Sequence, residues 1–234
     1  MKIKSILIFT IAFIAFTVIG TLSHEYGHIV VAKYYGFPTT LHYGSMNYDD
    51  TSIEKKLSDS IIKKNEGAVL NQKEYPAKEK LKALWKTINF KDLMVRIGGP
   101  FQTILTGTMG LILLLFRRKK IQENGMKILD WLYVFLSLFW LREVFNLMYS
   151  VMEAILKGDK KYFGGDEKYI AEMLEIPNGS IAIPLAIIAL LIALFVVFKI
   201  IPIQNRLNFI LGGFCGGILG FILWLRILGP IILP

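Results

Sequence analysis

Cysteine and histidine are scarce in this sequence, and both shortages restrict its chemistry. The single cysteine, Cys215, excludes an internal disulfide and any cysteine-rich metal cluster. A metal site in this chain therefore depends on histidine, aspartate or glutamate side chains. Only three histidines are present, and two of them, His24 and His28, are four residues apart.

Charged residues are also few, at 19% of 234 residues, whereas 54% of the residues are hydrophobic. The mean hydropathy of +0.50 is higher than a soluble domain of this length needs. The net charge is nevertheless +9, which suits anionic lipid headgroups. The sequence contains no basic recognition helix or aromatic RNA-binding strand. We therefore expect an integral, multi-pass membrane protein with the lipid bilayer as its partner and no nucleic-acid partner.

Five apolar segments are long enough to cross about 30 Å of hydrocarbon as helices of about 20 residues. They cover approximately residues 6–35, 93–116, 128–152, 181–201 and 209–228. The third segment is interrupted by Arg142, Glu143 and Asn146, and polar groups at that depth usually face a bundle interior or a cavity. The pattern predicts an all-α polytopic membrane protein with about five transmembrane helices.

One long polar loop, 36–91, separates the first two apolar segments. Its start, "FPTTLHYGSMNY", contains β-forming residues around a Tyr-Gly-Ser turn and predicts a short β-hairpin. Its end, "KEKLKALWKTINF", predicts an interfacial amphipathic helix. The middle, 55–76, is expected to be mobile.

We divide the chain into a core, 1–178, with three transmembrane helices and the inserted loop, and a unit, 179–234, with two C-terminal transmembrane helices. The last helix contains glycines at small-xxx-small spacing, which predicts close packing against another helix in lipid. These glycines are Gly212, Gly213, Gly216, Gly217 and Gly220.

The first apolar segment contains the polar motif "HEYGH", which begins at His24. Because His24 and His28 are four residues apart, they project from one helix face and can bind one metal ion through their imidazoles. In His-Glu-x-x-His motifs the histidines bind zinc and the glutamate, here Glu25, takes a proton from the attacking water. A chance match is the alternative, but burying these side chains in a membrane helix costs several kcal/mol unless they are paired or coordinated. The motif lies about 27 Å along the helix from Ile6, near its far end, where water can reach it.

A hydrolytic zinc site normally has three protein ligands and an open water position. His42, Glu143 and Glu153 are possible third ligands, but Asp166 is the favoured one. Two further crossings after His28 return the chain to the same side just before Asp166. Asp166 also has the position of an N-cap residue for the following helix, and capping and ligation are compatible.

Three stretches together resemble the site-2 protease family of intramembrane zinc metallopeptidases, particularly a small bacterial branch. The "HEYGH" motif resembles the motif of the family's first core helix. The stretch "RIGGPFQT", 96–103, resembles the start of the second core helix, and "GGDEKYIAEML" resembles the aspartate segment. The resemblance covers approximately residues 6–175.

This resemblance implies a three-helix metallopeptidase core that cleaves peptide bonds in or near membrane-spanning segments. It implies His24, His28 and Asp166 as ligands of one zinc ion and Glu25 as the catalytic general base. Gln102 or Thr103 stands where the family has a substrate-aligning asparagine, and Asn146 corresponds to an asparagine of its third helix. The substrate is then a membrane protein or a hydrophobic precursor peptide, which an edge strand of the hairpin could bind by strand addition.

Two other functions fit the same residues. The chain could be a membrane-anchored zinc peptidase that has a glutamate as third ligand and acts on soluble peptides. It could also be a non-catalytic membrane protein that binds or transports metal, although a pure binding site has no need of the general base Glu25. Basic residues flank both ends of the helices, so the membrane orientation stays open, as does the oligomeric state. We expect the protein in a bacterial plasma membrane.

Overall fold

The computed structural model describes residues 2–158 and 162–234. The chain forms helices and one hairpin in the order α1 (Ile3–Tyr34), β1 (Thr39–Leu41), β2 (Met46–Tyr48), α2 (Ile53–Lys64), α3 (Glu66–Leu70), α4 (Lys78–Asn124), α5 (Ile128–Ser137), α6 (Leu141–Lys157), α7 (Gly165–Met173), α8 (Ala182–Phe195), α9 (Ile203–Ile222) and α10 (Gly229–Ile232). A 3-10 turn, Leu138–Trp140, joins α5 to α6, and π-helical turns extend α8 over Val196–Ile200 and join α9 to α10 over Leu223–Leu228.

Four helices in the described part of the chain are long and apolar enough to cross a membrane. They are Ile3–Tyr34, Lys78–Asn124, Ala182–Ile200 and Ile203–Ile232. The predicted third segment, 128–152, is helical but is not among them, because the 3-10 turn divides it and polar residues follow that turn. The helical membrane-protein class is therefore supported, and the number of five crossings stays a prediction.

Helix α4 is much longer than a bilayer requires. Its 47 residues extend about 70 Å at about 1.5 Å per residue, so a large part projects beyond the hydrocarbon. The amphipathic helix predicted at 78–90 is the beginning of α4 and not a separate element.

The projecting part of α4 packs against α2. The Trp85 Nε1 donates to Ser58 Oγ at 3.0 Å, and Lys91 pairs with Glu54 at 2.9 Å. Residues 55–76, which were expected to be mobile, thus contain most of α2 and all of α3, because contacts with α4 fix α2.

The predicted hairpin is confirmed, with Thr40 opposite Asn47 in an antiparallel pair. The Tyr48 hydroxyl donates to the Asp92 carboxylate on α4, and burial together with this carboxylate raises the pKa of Tyr48. The Trp224 Nε1 donates to the carbonyl of Tyr43 at 2.7 Å. The hairpin therefore connects α4 to the C-terminal helices.

Helix α1 lies between α4 and α9 and packs along both. A Cβ atom added at Gly212 would lie 2.5 Å from Phe9 Cβ, and one at Gly216 would lie 2.5 Å from the Thr10 carbonyl oxygen. These glycines therefore allow α9 to approach α1 closely, as predicted from their spacing. An aromatic cluster with Phe9 and Phe209 fills this end of the bundle, and the histidine motif lies toward the opposite end of α1.

Candidate metal centre

The histidine pair lies where α1 crosses α4 at two glycines. A Cβ atom added at Gly27 would lie 2.4 Å from the Gly98 carbonyl oxygen, and one added at Gly98 would lie 2.5 Å from the Gly27 carbonyl oxygen. At the next residue, a Cβ on Gly99 would lie 2.2 Å from His28 Nε2 and 2.6 Å from His24 Nε2. Glycines on both helices thus allow the backbones to touch and leave space beside the two Nε2 atoms.

Asp166 on α7 completes a compact group of three potential ligand atoms. Its Oδ2 lies 3.0 Å from His24 Nε2 and 3.3 Å from His28 Nε2, and the two Nε2 atoms are 3.3 Å apart. Tetrahedral coordination at metal–ligand distances of about 2.0–2.1 Å requires ligand atoms roughly 3.3 Å from one another. The side chains of His24, His28 and Asp166 could therefore hold a metal ion, and their spacing fits zinc.

Helix α4 orients the two imidazoles through their other ring nitrogens. The His24 Nδ1 lies 2.9 Å from Thr103 Oγ1, and the His28 Nδ1 lies 2.7 Å from the Val95 carbonyl oxygen. Hydrogen bonds of this kind fix the ring orientation and the tautomer of metal-binding histidines.

The tautomer of His28 follows from the Val95 contact. A carbonyl oxygen can only accept, so Nδ1 carries a proton, and Nε2 is the ring nitrogen that remains available to a metal ion. The Gly99 amide nitrogen lies 3.2 Å from the same Nδ1. Because an N–H group cannot donate to a protonated nitrogen, only one of the two contacts can be a hydrogen bond, and we assign it to the shorter contact with Val95. The Asp166 carboxylate lies 3.3 Å from this Nε2, so both could bind the same cation.

Glu25 follows His24 on α1 and is also buried, with an exposed fraction of 6%. One of its oxygens lies 3.6 Å from an Nη2 of Arg142 on α6, so this guanidinium partly offsets the carboxylate's charge. The Asp166 side chain is 25% exposed, whereas His24 is fully buried. Water therefore reaches the group from the Asp166 side.

Asp166 is not the N-cap residue of α7, contrary to the prediction. The helix begins at Gly165, with Gly164 as its N-cap residue. Gly165 has a φ of +71°, a left-handed conformation that glycine adopts readily, and it starts the helix one residue earlier. Asp166 consequently lies in the first turn and is directed toward the histidines.

The two predicted substrate-binding residues lie near the centre. Gln102 packs against Gly27, and its Nε2 donates to Thr106 at 3.0 Å within α4. Asn146 donates to Glu167 Oε1 at a long 3.4 Å. Of the two α4 residues considered for the asparagine position, Thr103 is the one that contacts a histidine.

The other candidate ligands lie outside the histidine–aspartate group. His42 contacts Pro234 and Asn47 beside the hairpin, and Glu153 pairs with Lys157. Glu143 is 2% exposed and faces the equally buried Glu167.

Sequence reasoning missed two groups that shape the centre, Gly99 and Glu167, and it considered Thr103 for substrate alignment and not as a partner of His24. Gly99 lies in the stretch "RIGGPFQT", where the adjacent small residues were the available signal of a close helix crossing. Glu167 adjoins Asp166 and gave no separate signal, because an acidic residue in the first turn of a helix is common.

No protein-family model, curated protein or solved structure matches this chain. The function must therefore be inferred from the chain's own residues.

Proposed function

We propose that this protein is a zinc metalloendopeptidase that cleaves peptide bonds in or near membrane-spanning segments. Its substrate would be a membrane protein or a hydrophobic precursor peptide. The observation that carries this proposal is the buried triangle of His24, His28 and Asp166 atoms, 3.0–3.3 Å apart, with Glu25 on the same helical turn. A site that only binds metal does not require this additional buried carboxylate.

Each residue has a distinct role in this proposal. His24, His28 and Asp166 would hold the zinc ion, which would supply Lewis-acid chemistry and lower the pKa of water to about 7. Glu25 takes the proton of the attacking water and delivers it to the departing amine. Arg142 holds the Glu25 carboxylate in place, and Thr103 fixes the ring of His24.

Membrane location supports the intramembrane form of the reaction. The histidines lie on a helix that is long and apolar enough to cross a membrane. The centre would therefore meet peptide bonds at the edge of the hydrocarbon, where a substrate helix must unwind before its carbonyls are accessible. The proposal includes the resemblance to the small bacterial branch of the site-2 proteases and a location in a bacterial plasma membrane.

The test is a comparison of wild type with Glu25→Gln in liposomes that contain candidate membrane peptides. We expect the variant to retain one zinc ion per chain and to lose cleavage by at least about 100-fold, the usual effect of a general base. Glu153→Gln, which alters an exposed carboxylate paired with Lys157, is the control and should cleave normally. Cleavage that survives in Glu25→Gln would refute the mechanism.

Two further outcomes distinguish the alternatives. Zinc binding by wild type without cleavage of any candidate peptide would favour a metal-binding or transport protein. Full zinc occupancy in Asp166→Ala would instead favour a peptidase with a different third ligand.

A further inference from the structure

A cleft of about 280 Å³ lies between the turn of the hairpin, α6 and the C-terminal helices. Phe145 and Tyr149 of α6, Phe221 of α9, and Arg226 form walls of this cleft, and Gly44 lies at the hairpin turn. The metal centre does not use any of these side chains.

The cleft is connected to the centre through one face of α6. Arg142, which contacts Glu25, is three residues before Phe145 and seven before Tyr149. Residues with these spacings lie on the same helix face, and seven residues extend about 10 Å along the axis. A peptide in the cleft would therefore lie within a few residues of the general base.

The aromatic rings of α6 and α9 pack against one another. The Phe221 ring lies 5.5 Å from the Phe145 ring and 6.0 Å from the Tyr149 ring, measured between centroids. Rings at these separations are in direct contact, so together they form one apolar wall on which a bulky apolar side chain can pack.

Arg226 adds a positive charge at the edge of this aromatic wall. Its guanidinium lies 5.4 Å from the Phe221 centroid, and Nη2 contacts the Tyr149 hydroxyl at 3.4 Å. Among residues 2–158 and 162–234, the ion pairs of the structure do not include Arg226. A cleft with apolar walls and an unpaired guanidinium is complementary to an apolar group beside a carboxylate.

We infer that this cleft binds substrate residues next to the scissile bond, with a bulky apolar side chain against the aromatic wall and an acidic side chain on Arg226. This inference rests on the proposed function and defines its substrate class as hydrophobic peptides with a large apolar residue near an acidic one. Gly44 at the hairpin turn lines the same cleft, so polypeptide backbone lies beside the bound group, which favours a peptide over a lipid.

The test measures binding and not cleavage, in zinc-loaded Glu25→Gln embedded in phosphatidylcholine nanodiscs. Matched fluorescent peptides carry Phe and Asp, Ala and Asp, or Phe and Lys near their centre. We expect the Phe–Asp peptide to bind about tenfold more tightly than either of the others, which is the effect of one buried aromatic side chain or one charged contact.

Variants of the cleft should change this preference in a predictable way. Arg226→Glu should reverse the preference between the Asp and Lys peptides, and Phe221→Ala should remove the preference for Phe over Ala. The controls are Lys199→Glu, a charge reversal away from the cleft, and Phe214→Ala, which alters an aromatic side chain that is 71% exposed on α9. Both controls should bind as the parent does.

An unchanged peptide preference in Arg226→Glu and Phe221→Ala would overturn the inference. So would displacement of all peptides alike by phosphatidylglycerol, because the cleft would then be a lipid site. A preserved preference without cleavage by wild type would refute only the proposed function, and cleavage without a preference would refute only this inference.

Discussion

Replacing Gly99 with alanine tests the geometry of the proposed metal centre directly. The added Cβ would lie 2.2 Å from His28 Nε2 and 2.6 Å from His24 Nε2, whereas real Cβ atoms essentially never approach closer than 3.0 Å. The His28 ring or α4 must therefore move by about 0.8 Å, and metal–ligand distances tolerate only about 0.2 Å. We expect the Kd for zinc to rise by roughly 10- to 100-fold, comparable to other disturbances around metal ligands.

The assay titrates zinc against a competing fluorescent chelator and measures metal content in the purified protein. Gly217→Ala is the matched control, because a Cβ at Gly217 would meet no atom within 4 Å. Alanine is favoured over glycine in a helix interior by about 1 kcal/mol, so thermal unfolding without zinc should show that Gly99→Ala still folds. Equal zinc affinity in Gly99→Ala and Gly217→Ala would refute the placement of the ion beside the two Nε2 atoms.

Two further substitutions test the support of the centre and of the bundle. Thr103→Val removes the acceptor for His24 Nδ1 and should weaken zinc binding by about 10-fold or more. Thr103→Ser keeps the hydroxyl and should bind zinc as wild type does. Equal weakening of zinc binding in both variants would exclude the hydrogen bond as the cause. Gly216→Val places side-chain atoms against the Thr10 carbonyl and should lower the free energy of unfolding in detergent by about 1–3 kcal/mol. Gly217→Val should leave the free energy of unfolding unchanged. An equal decrease of this free energy in both variants would mean that close packing of α9 on α1 does not explain the effect of Gly216→Val.

The sequence predicted the features that depend on residues close to one another along the chain. Four-residue spacing was sufficient to place His24 and His28 on one helix face. Asp166 does lie beside them, but the count of crossings that predicted this stays untested, because 128–152 is not among the helices long and apolar enough to cross a membrane. The glycine spacing in the last helix also predicted a close approach, although it did not identify α1 as the partner.

The missed features depend on contacts between distant residues. The role of Gly99 follows from the crossing of α1 and α4, and no spacing within α4 reveals which helix it meets. Helix α2 was missed because contacts such as Trp85 to Ser58 stabilise it from outside the segment. The division of the third apolar segment was missed because the run of hydrophobic residues continues through the turn at 138–140.

The charges around the centre imply that metal binding and folding are coupled. The buried carboxyl group of Glu25 lies near the partly buried one of Asp166, and the guanidinium of Arg142 offsets only part of their charge. Buried charges without partners are strongly destabilising, so a divalent cation would offset a cost that the folded chain otherwise bears. Because Asp166 is in the first turn of α7, the same ion would also connect α7 to α1. The metal would then stabilise the position of its own third ligand, and its binding free energy would appear partly as folding free energy.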